Sequence, residues 1–173
     1  MRRAVFLDRD GVINKAVLRN GKPYPPQRIE EFLIYPEATA ACLQLKAGGF
    51  ILVVVTNQPD VGRGTQKREI VEAMHDRVCA LLPIDRVEVC YDSALSEFYK
   101  PAPGMLLRAA GELSLDLSAS FMVGDRWRDI DCGRAVGCTT ILIDRGYDEG
   151  LREQPDHRVT SLLEAAQIIL CRH

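Results

Sequence analysis

The chain has 173 residues, 47% of them apolar and 27% charged, with a formal net charge of -2 and a pI near 5.9. This is the balance of a soluble globular chain long enough to bury a core, and it gives no electrostatic case for nucleic acid or an anionic membrane as partner. No apolar run approaches the roughly 20 residues of a membrane span, and the basic start "MRRAVFLDRDG" meets an acid too soon to be a signal peptide, so a cytoplasmic location is expected.

In chain order, "RAVFLD" (3–8) reads as a buried strand that ends in two aspartates, Asp8 and Asp10, followed by Gly11. Residues 14–32 form a long irregular segment with three prolines, and a loop of that length in a compact domain points to a flap over a site. Ala38, Ala41, Cys42 and Leu45 follow a helical period that stops at Gly48-Gly49. "FILVVVT" (50–56) is the second strand. Ile70, Val71, Met74, Val78, Leu81 and Leu82 mark a helix ended by Pro83, and "RVEVCY" (86–91) is the third strand. Pro103 opens a helix carrying Met105, Leu106, Ala109, Ala110 and Leu113. "SFMVGD" (120–125), a short helix from Trp127 to Val136 and "TTILID" (139–144) complete the alternation, and Ser161 with Glu164 has the spacing of a capping box for a last helix. Five near-continuously apolar strands alternating with helices predict an α/β fold: a doubly wound, mainly parallel, five-stranded Rossmann-like sheet in one domain spanning 1–173. Six cysteines without a C-x-x-C pair are expected to be reduced, and none of His75, His157 and His173 is placed to act as a general base.

A parallel sheet would bring its polar strand ends to one edge, where such folds bind ligands. Asp8 and Asp10 end the first strand, Thr56, Asn57 and Gln58 the second, and Asp125 the fourth, with Asp129 one turn further on. The third strand leads by a short loop to Lys100-Pro101. Several carboxylates at one edge repel each other unless a hard dication lies among them, and oxygen ligands select Mg²⁺ over zinc. A carboxylate so placed can attack phosphorus. A second one two residues on can protonate the leaving oxygen and later deprotonate a water, while a lysine balances the phosphoryl charge.

The set "DRDGV" (8–12), "TN" (56–57), "KP" (100–101) and "GDRWRD" (124–129) resembles the haloacid dehalogenase (HAD) superfamily of phosphohydrolases. The resemblance implies Asp8 as nucleophile, Asp10 as general acid/base, Thr56 as phosphate ligand and Lys100 as the charge-balancing lysine. It places Mg²⁺ on Asp8, the backbone carbonyl of Asp10 and Asp125, with Asp129 close behind. "FLDRDGVIN", "GFILVVVTNQPDVGRG", "KPAPGMLLRAA" and "VGDRWRDIDCGRAVGCTTILI" are further similar to the branch of heptose-1,7-bisphosphate and histidinol phosphatases, which have little or no cap domain. Substrate contacts are then expected from the flap at 14–32 and from Asn14, Thr56, Asn57, Gln58, Arg63, Tyr99, Lys100 and Arg126.

One departure stands out. The branch carries a zinc loop, C-x-H followed by C-x-C-R-K-P, whereas this chain has "CYDSALSEFYKP" (90–101), with Asp92 at the histidine, Tyr99 at the arginine and no later cysteines. One thiol is not a zinc site, so no structural zinc is expected. The resemblance implies a Mg²⁺-dependent hydrolase of a small phosphorylated sugar, a heptose bisphosphate or a related sugar phosphate, acting as a monomer or weak homodimer. Its rivals are a histidinol-phosphate or nucleotide phosphatase on the same machinery, and a catalytically silent binding module.

Overall fold

The computed structural model describes residues 1–171, so His173 lies outside the described residues. Six parallel strands form the main sheet: β1 (Ala4–Leu7), β4 (Ile51–Asn57), β5 (Arg86–Cys90), β6 (Phe121–Gly124), β7 (Thr139–Ile143) and β8 (His157–Val159). Their order is β5-β4-β1-β6-β7-β8. Each predicted strand therefore forms, and a sixth adds to the five. β8 is a three-residue edge strand, "HRV", paired only along β7. It is too short and too polar to show a period, and pairing alone makes it a strand.

Alternation along β1 and β4 divides the core, because successive side chains leave opposite faces. Val5, Leu7, Leu52 and Val54 face one layer, made of α1 (Ala38–Ala47), α3 (Arg68–Leu81) and α6 (Leu162–Cys171). Ala4, Phe6, Val53 and Val55 face the other, built around α4 (Gly104–Leu113) and α5 (Trp127–Ala135). All four β1 side chains are fully buried, as a central strand covered on both sides must be. The helix expected from Pro103 starts at Gly104, with Pro103 as its cap residue. The box expected at Ser161 is shifted: Ser161 Oγ accepts from Glu164 N at 3.2 Å, but the Glu164 carboxylate reaches back to the N–H and hydroxyl of Thr160.

The segment 14–32 holds local structure of its own. β2 (Val17–Arg19) and β3 (Lys22–Tyr24) form an antiparallel hairpin turning through Asn20 and Gly21, both at positive φ, and a 3-10 turn covers Ile29–Glu31. A short helix, α2 (Pro59–Gly62), follows β4. Cys42, Cys90, Cys132 and Cys138 are buried free thiols, while Cys79 and Cys171 are exposed. No helix among the described residues is long and apolar enough to cross a membrane.

The chain runs outward from β1 through β4 to β5, then returns to β6 on the other side of β1 and continues to β7 and β8. The order reverses between β1 and β6, and a crevice opens beyond the carboxyl ends of these two strands. Asp8 and Asp125 are the first residues past those ends.

Candidate active site

Four charged side chains meet in this crevice. Asp8, Asp125 and Asp129 each offer a carboxylate oxygen, and the three lie within 4.8 Å of one another. Lys100, only 2% exposed, puts its ammonium 2.9 Å from Asp8 Oδ1 and 2.7 Å from Asp129 Oδ1, and donates to the Val55 carbonyl at 2.8 Å. Asn57 fixes the lysine backbone, its amide donating to Lys100 O and accepting from Lys100 N, both at 3.0 Å. β4 and the loop after β5 are tied together in this way, although residues 57 and 100 are far apart in sequence.

Three buried carboxylates facing one ammonium leave an excess of negative charge, and the proton affinities reflect it. Burial pushes the Asp8 carboxyl up to about 6, against the pull of Lys100 and with the Asp129 and Asp10 charges adding to the rise. Burial, then Asp8 and Asp129, lift Asp125 well above the usual carboxylate range. Lys100 is held firmly charged: its burial acts against the charge, but Asp129 and Asp8 outweigh it.

The cluster fits a hard dication. Both oxygens of Asp125 are buried without a hydrogen bond of standard geometry, and a buried anion left so is costly unless a cation approaches. Asp8 and Asp125 can supply ligand oxygens. Asp129 is already engaged through both oxygens, Oδ1 with Lys100 and Oδ2 accepting from Arg126 N at 3.1 Å, so it supports the cluster from behind. The Asp10 carboxylate stands outside the three-oxygen cluster.

Asp10 turns instead into a separate array. Arg9, fully buried, holds it through Nε and Nη2 at 3.0–3.2 Å and lies 5.4 Å over the Phe32 ring. Asn14 Nδ2 donates to Asp10 Oδ1 at 2.9 Å, and Gln58 Nε2 donates to Asp10 Oδ2 at 2.8 Å and to Thr56 Oγ1 at 3.0 Å. A turn makes this possible: the Arg9 carbonyl accepts from Val12, Ile13 and Asn14, and Gly11 takes φ 89°. A Cβ at Gly11 would lie 1.8 Å from Asp125 Oδ2, so only glycine fits there.

A cavity of about 260 Å³ opens from the cluster and is lined by Asp8, Asp10, Thr56, Asn57, Lys100, Asp125 and Asp129 at its base. Of the other predicted contacts, Arg63, Tyr99 and Arg126 reach its wall. Asn14 and Gln58 are not among its lining residues and act on Asp10 from behind. The irregular segment contributes Ala16, then Lys22, Pro23 and Tyr24 from the second arm of the hairpin, and Pro25 just after it.

Several residues escape the sequence reading. Arg9, between the two aspartates, carried a signal, since a buried acid needs a partner. Lys22 and Tyr24, on β3, and Arg128, in the first turn of α5, also line the cavity. Glu149 takes both arms of Arg126, Oε2 accepting from Nε at 2.8 Å and Oε1 from Nη2 at 2.7 Å. No periodicity marks it.

Residues 98–165 match a family model described as HAD-hydrolase-like. The D-glycero-D-manno-heptose-1,7-bisphosphate 7-phosphatase of Chlorobaculum tepidum is 34% identical over 94% of this chain and 92% of its own. The enzyme of the same name from Thermosynechococcus vestitus is 34% identical over 99% of this chain and 97% of its own. Among solved structures, the D,D-heptose 1,7-bisphosphate phosphatase from B. bronchiseptica, complexed with magnesium and phosphate, superposes with a TM-score of 0.83 at 26% identity, covering 99% of each chain.

Proposed function

The chain belongs to the HAD-like hydrolases, in the family of the heptose-1,7-bisphosphate 7-phosphatases, and from that membership we propose that it is a Mg²⁺-dependent phosphomonoesterase working through phosphorylated Asp8. The carrying observation is the buried group of Asp8, Asp125, Asp129 and Lys100 at the sheet's switch point, three carboxylates around one ammonium.

In this reading an oxygen of Asp8 attacks phosphorus and the bond to the leaving oxygen breaks, while Asp10 delivers a proton to that oxygen. Asp10, now an anion, takes a proton from water, whose oxygen attacks the aspartyl-phosphate, frees inorganic phosphate and restores Asp8. Arg9, Asn14 and Gln58 keep the Asp10 carboxyl oriented through both events. Lys100 holds Asp8 in place and balances charge on the phosphoryl oxygens. Thr56 binds the phosphate. Asp8, the Asp10 carbonyl and Asp125 would hold Mg²⁺, which supplies charge neutralisation at the phosphoryl group when bound.

The substrate is a small phosphorylated sugar, a heptose bisphosphate or a close relative, received beneath a flap formed by the hairpin of residues 17–24. Arg63, Tyr99 and Arg126 read its distal part. Tyr99 replaces the arginine of the related branch, and this favours a second reading in which the preferred sugar carries one phosphate. The enzyme acts alone or as a weak homodimer, and without structural zinc.

The test is phosphate release from a panel of sugar bisphosphates, sugar monophosphates, histidinol phosphate and nucleotides, with Mg²⁺ and with EDTA. A sugar phosphate is expected to lead the panel, and Asp8→Asn is expected to remove turnover while the circular dichroism spectrum stays unchanged. Turnover retained in Asp8→Asn would overturn the mechanism. A histidinol phosphate or nucleotide at the head of the panel would overturn the substrate class.

A further inference from the structure

The segment after β7 belongs to no helix or strand, yet its burial alternates. Arg145, Tyr147 and Glu149 are half-buried, whereas Asp144, Gly146, Asp148 and Gly150 are exposed. Each inward side chain meets a different part of the catalytic edge. Arg145 Nε donates to the Gly11 carbonyl at 2.9 Å, in the turn that follows Asp10, and its guanidinium lies 4.1 Å over the Tyr35 ring. The Tyr147 hydroxyl and Asp125 Oδ2 crowd a single point, 2.9 Å and 1.8 Å from where a Gly11 Cβ would stand. Glu149 grips Arg126 with both oxygens.

We propose that residues 145–149 form a strap whose Arg145 and Tyr147 position the metal-binding edge, by bracing the Gly11 turn and aiming the Asp125 carboxylate, while Glu149 sets the direction of Arg126 in the cavity. The inference rests on the phosphatase reading for its metal and substrate. The Asp125 oxygens have no standard hydrogen bond, so the adjacent phenol is the polar group that can lock one of them and leave the other for the cation. Groups that orient a metal ligand in this way typically govern ~10–100-fold of metal affinity. None of the three touches the phosphoryl group in this scheme. They are positioning residues.

The test uses the whole chain and Mn²⁺ as a paramagnetic stand-in for Mg²⁺, with free Mn²⁺ measured by EPR. Tyr147→Phe is expected to weaken Mn²⁺ binding about tenfold with an unchanged melting temperature, and Arg145→Met to weaken it similarly. Asp148→Ala, on the outward side of the same segment, is expected to bind Mn²⁺ like the parent. Glu149→Gln is expected to raise KM several-fold with kcat and Mn²⁺ affinity retained. Parental Mn²⁺ affinity in folded Tyr147→Phe, or equal weakening in Asp148→Ala, overturns the strap. Because the Mn²⁺ titrations need no turnover, they judge it even if the parent hydrolyses no phosphate ester, a result that would instead remove the phosphatase reading.

Discussion

Lys100 Nζ stands 2.9 Å from Asp8 Oδ1 and 2.7 Å from Asp129 Oδ1, so one buried ammonium joins the carboxylate that ends β1 to one on the first turn of α5. The pairing explains how strand and helix tolerate acids at 8% and 1% exposure. In the proposed mechanism the same ammonium would couple stability to catalysis.

Lys100→Met is therefore expected to lower kcat by at least ~100-fold, the scale for one lost charge stabiliser. It should also cost on the order of 3 kcal/mol of stability by stranding Asp8 and Asp129. Phosphate release and urea unfolding measure the two effects. Unchanged stability would show that the ion pairs contribute nothing to the folded state.

Gly11→Ala is expected to abolish turnover, because its Cβ would lie 1.8 Å from Asp125 Oδ2 and its φ is 89°. Gly64→Ala is the control: φ is positive there too, at 74°, but nothing lies within 4 Å of the added carbon. That variant should lose only ~1 kcal/mol, the strain of a left-handed non-glycine residue, and keep its activity. Equal behaviour of the two would separate activity from the crowding at Asp125.

Asp125→Asn is expected to be more stable than the parent in EDTA at pH 7. The parent's Asp125 carboxyl is raised by burial and by Asp8 and Asp129, so its charged form opposes folding when no cation is bound. Mg²⁺ at 100 times its dissociation constant should stabilise the parent by about 2.7 kcal/mol and leave the variant unmoved. Thermal melts with Mg²⁺ and with EDTA decide it, and a Mg²⁺ response in Asp125→Asn would exclude this residue as a ligand.

His75, on α3, is buried with Nε2 unpartnered, and burial, with Arg9 adding, brings its pKa down from 6.5 to about 4. Asp10 and Glu72 pull the other way with less effect. The folded value lies below the unfolded one, so the unfolded chain takes the proton first. Stability is fully present above pH 6.5 and falls as pH drops toward 4, by on the order of 3 kcal/mol in all. In His75→Gln the difference between urea unfolding at pH 7 and at pH 4.5 should shrink by roughly 2 kcal/mol, the part of that loss falling inside this window; an undiminished difference would assign the acid sensitivity to other groups.

How much was legible follows from how local each signal was. The β-branched runs at 50–56 and 139–144 and the glycine stops at Gly48 and Gly137 carry their structure in neighbouring residues, so five strands and their parallel arrangement could be read directly. Asp8, Asp10, Lys100 and Asp125 were legible as a site because each ends or follows such a run, and a parallel sheet sends all these ends to one edge. β8 was not legible, since three residues of an edge strand have no period, and the hairpin at 17–24 was hidden by Pro23 in its second arm.

Strand periodicity, punctuation and the placement of acids depend on residues a few positions apart, and the sequence by itself determined the fold class and which charged residues gather at one edge of the sheet. Only the tertiary structure decided which partners those side chains take: Asp10 turns to Arg9, Asn14 and Gln58, Asp129 is engaged by Lys100 and Arg126, and Asp125 stands beside the Tyr147 hydroxyl. The strap at 145–149 belongs to the same class. These assignments are made by charges and hydrogen bonds between residues up to 134 positions apart, as from Arg145 to Gly11. Such pairings have no sequence period, because they exist only once the sheet has brought its strand ends together.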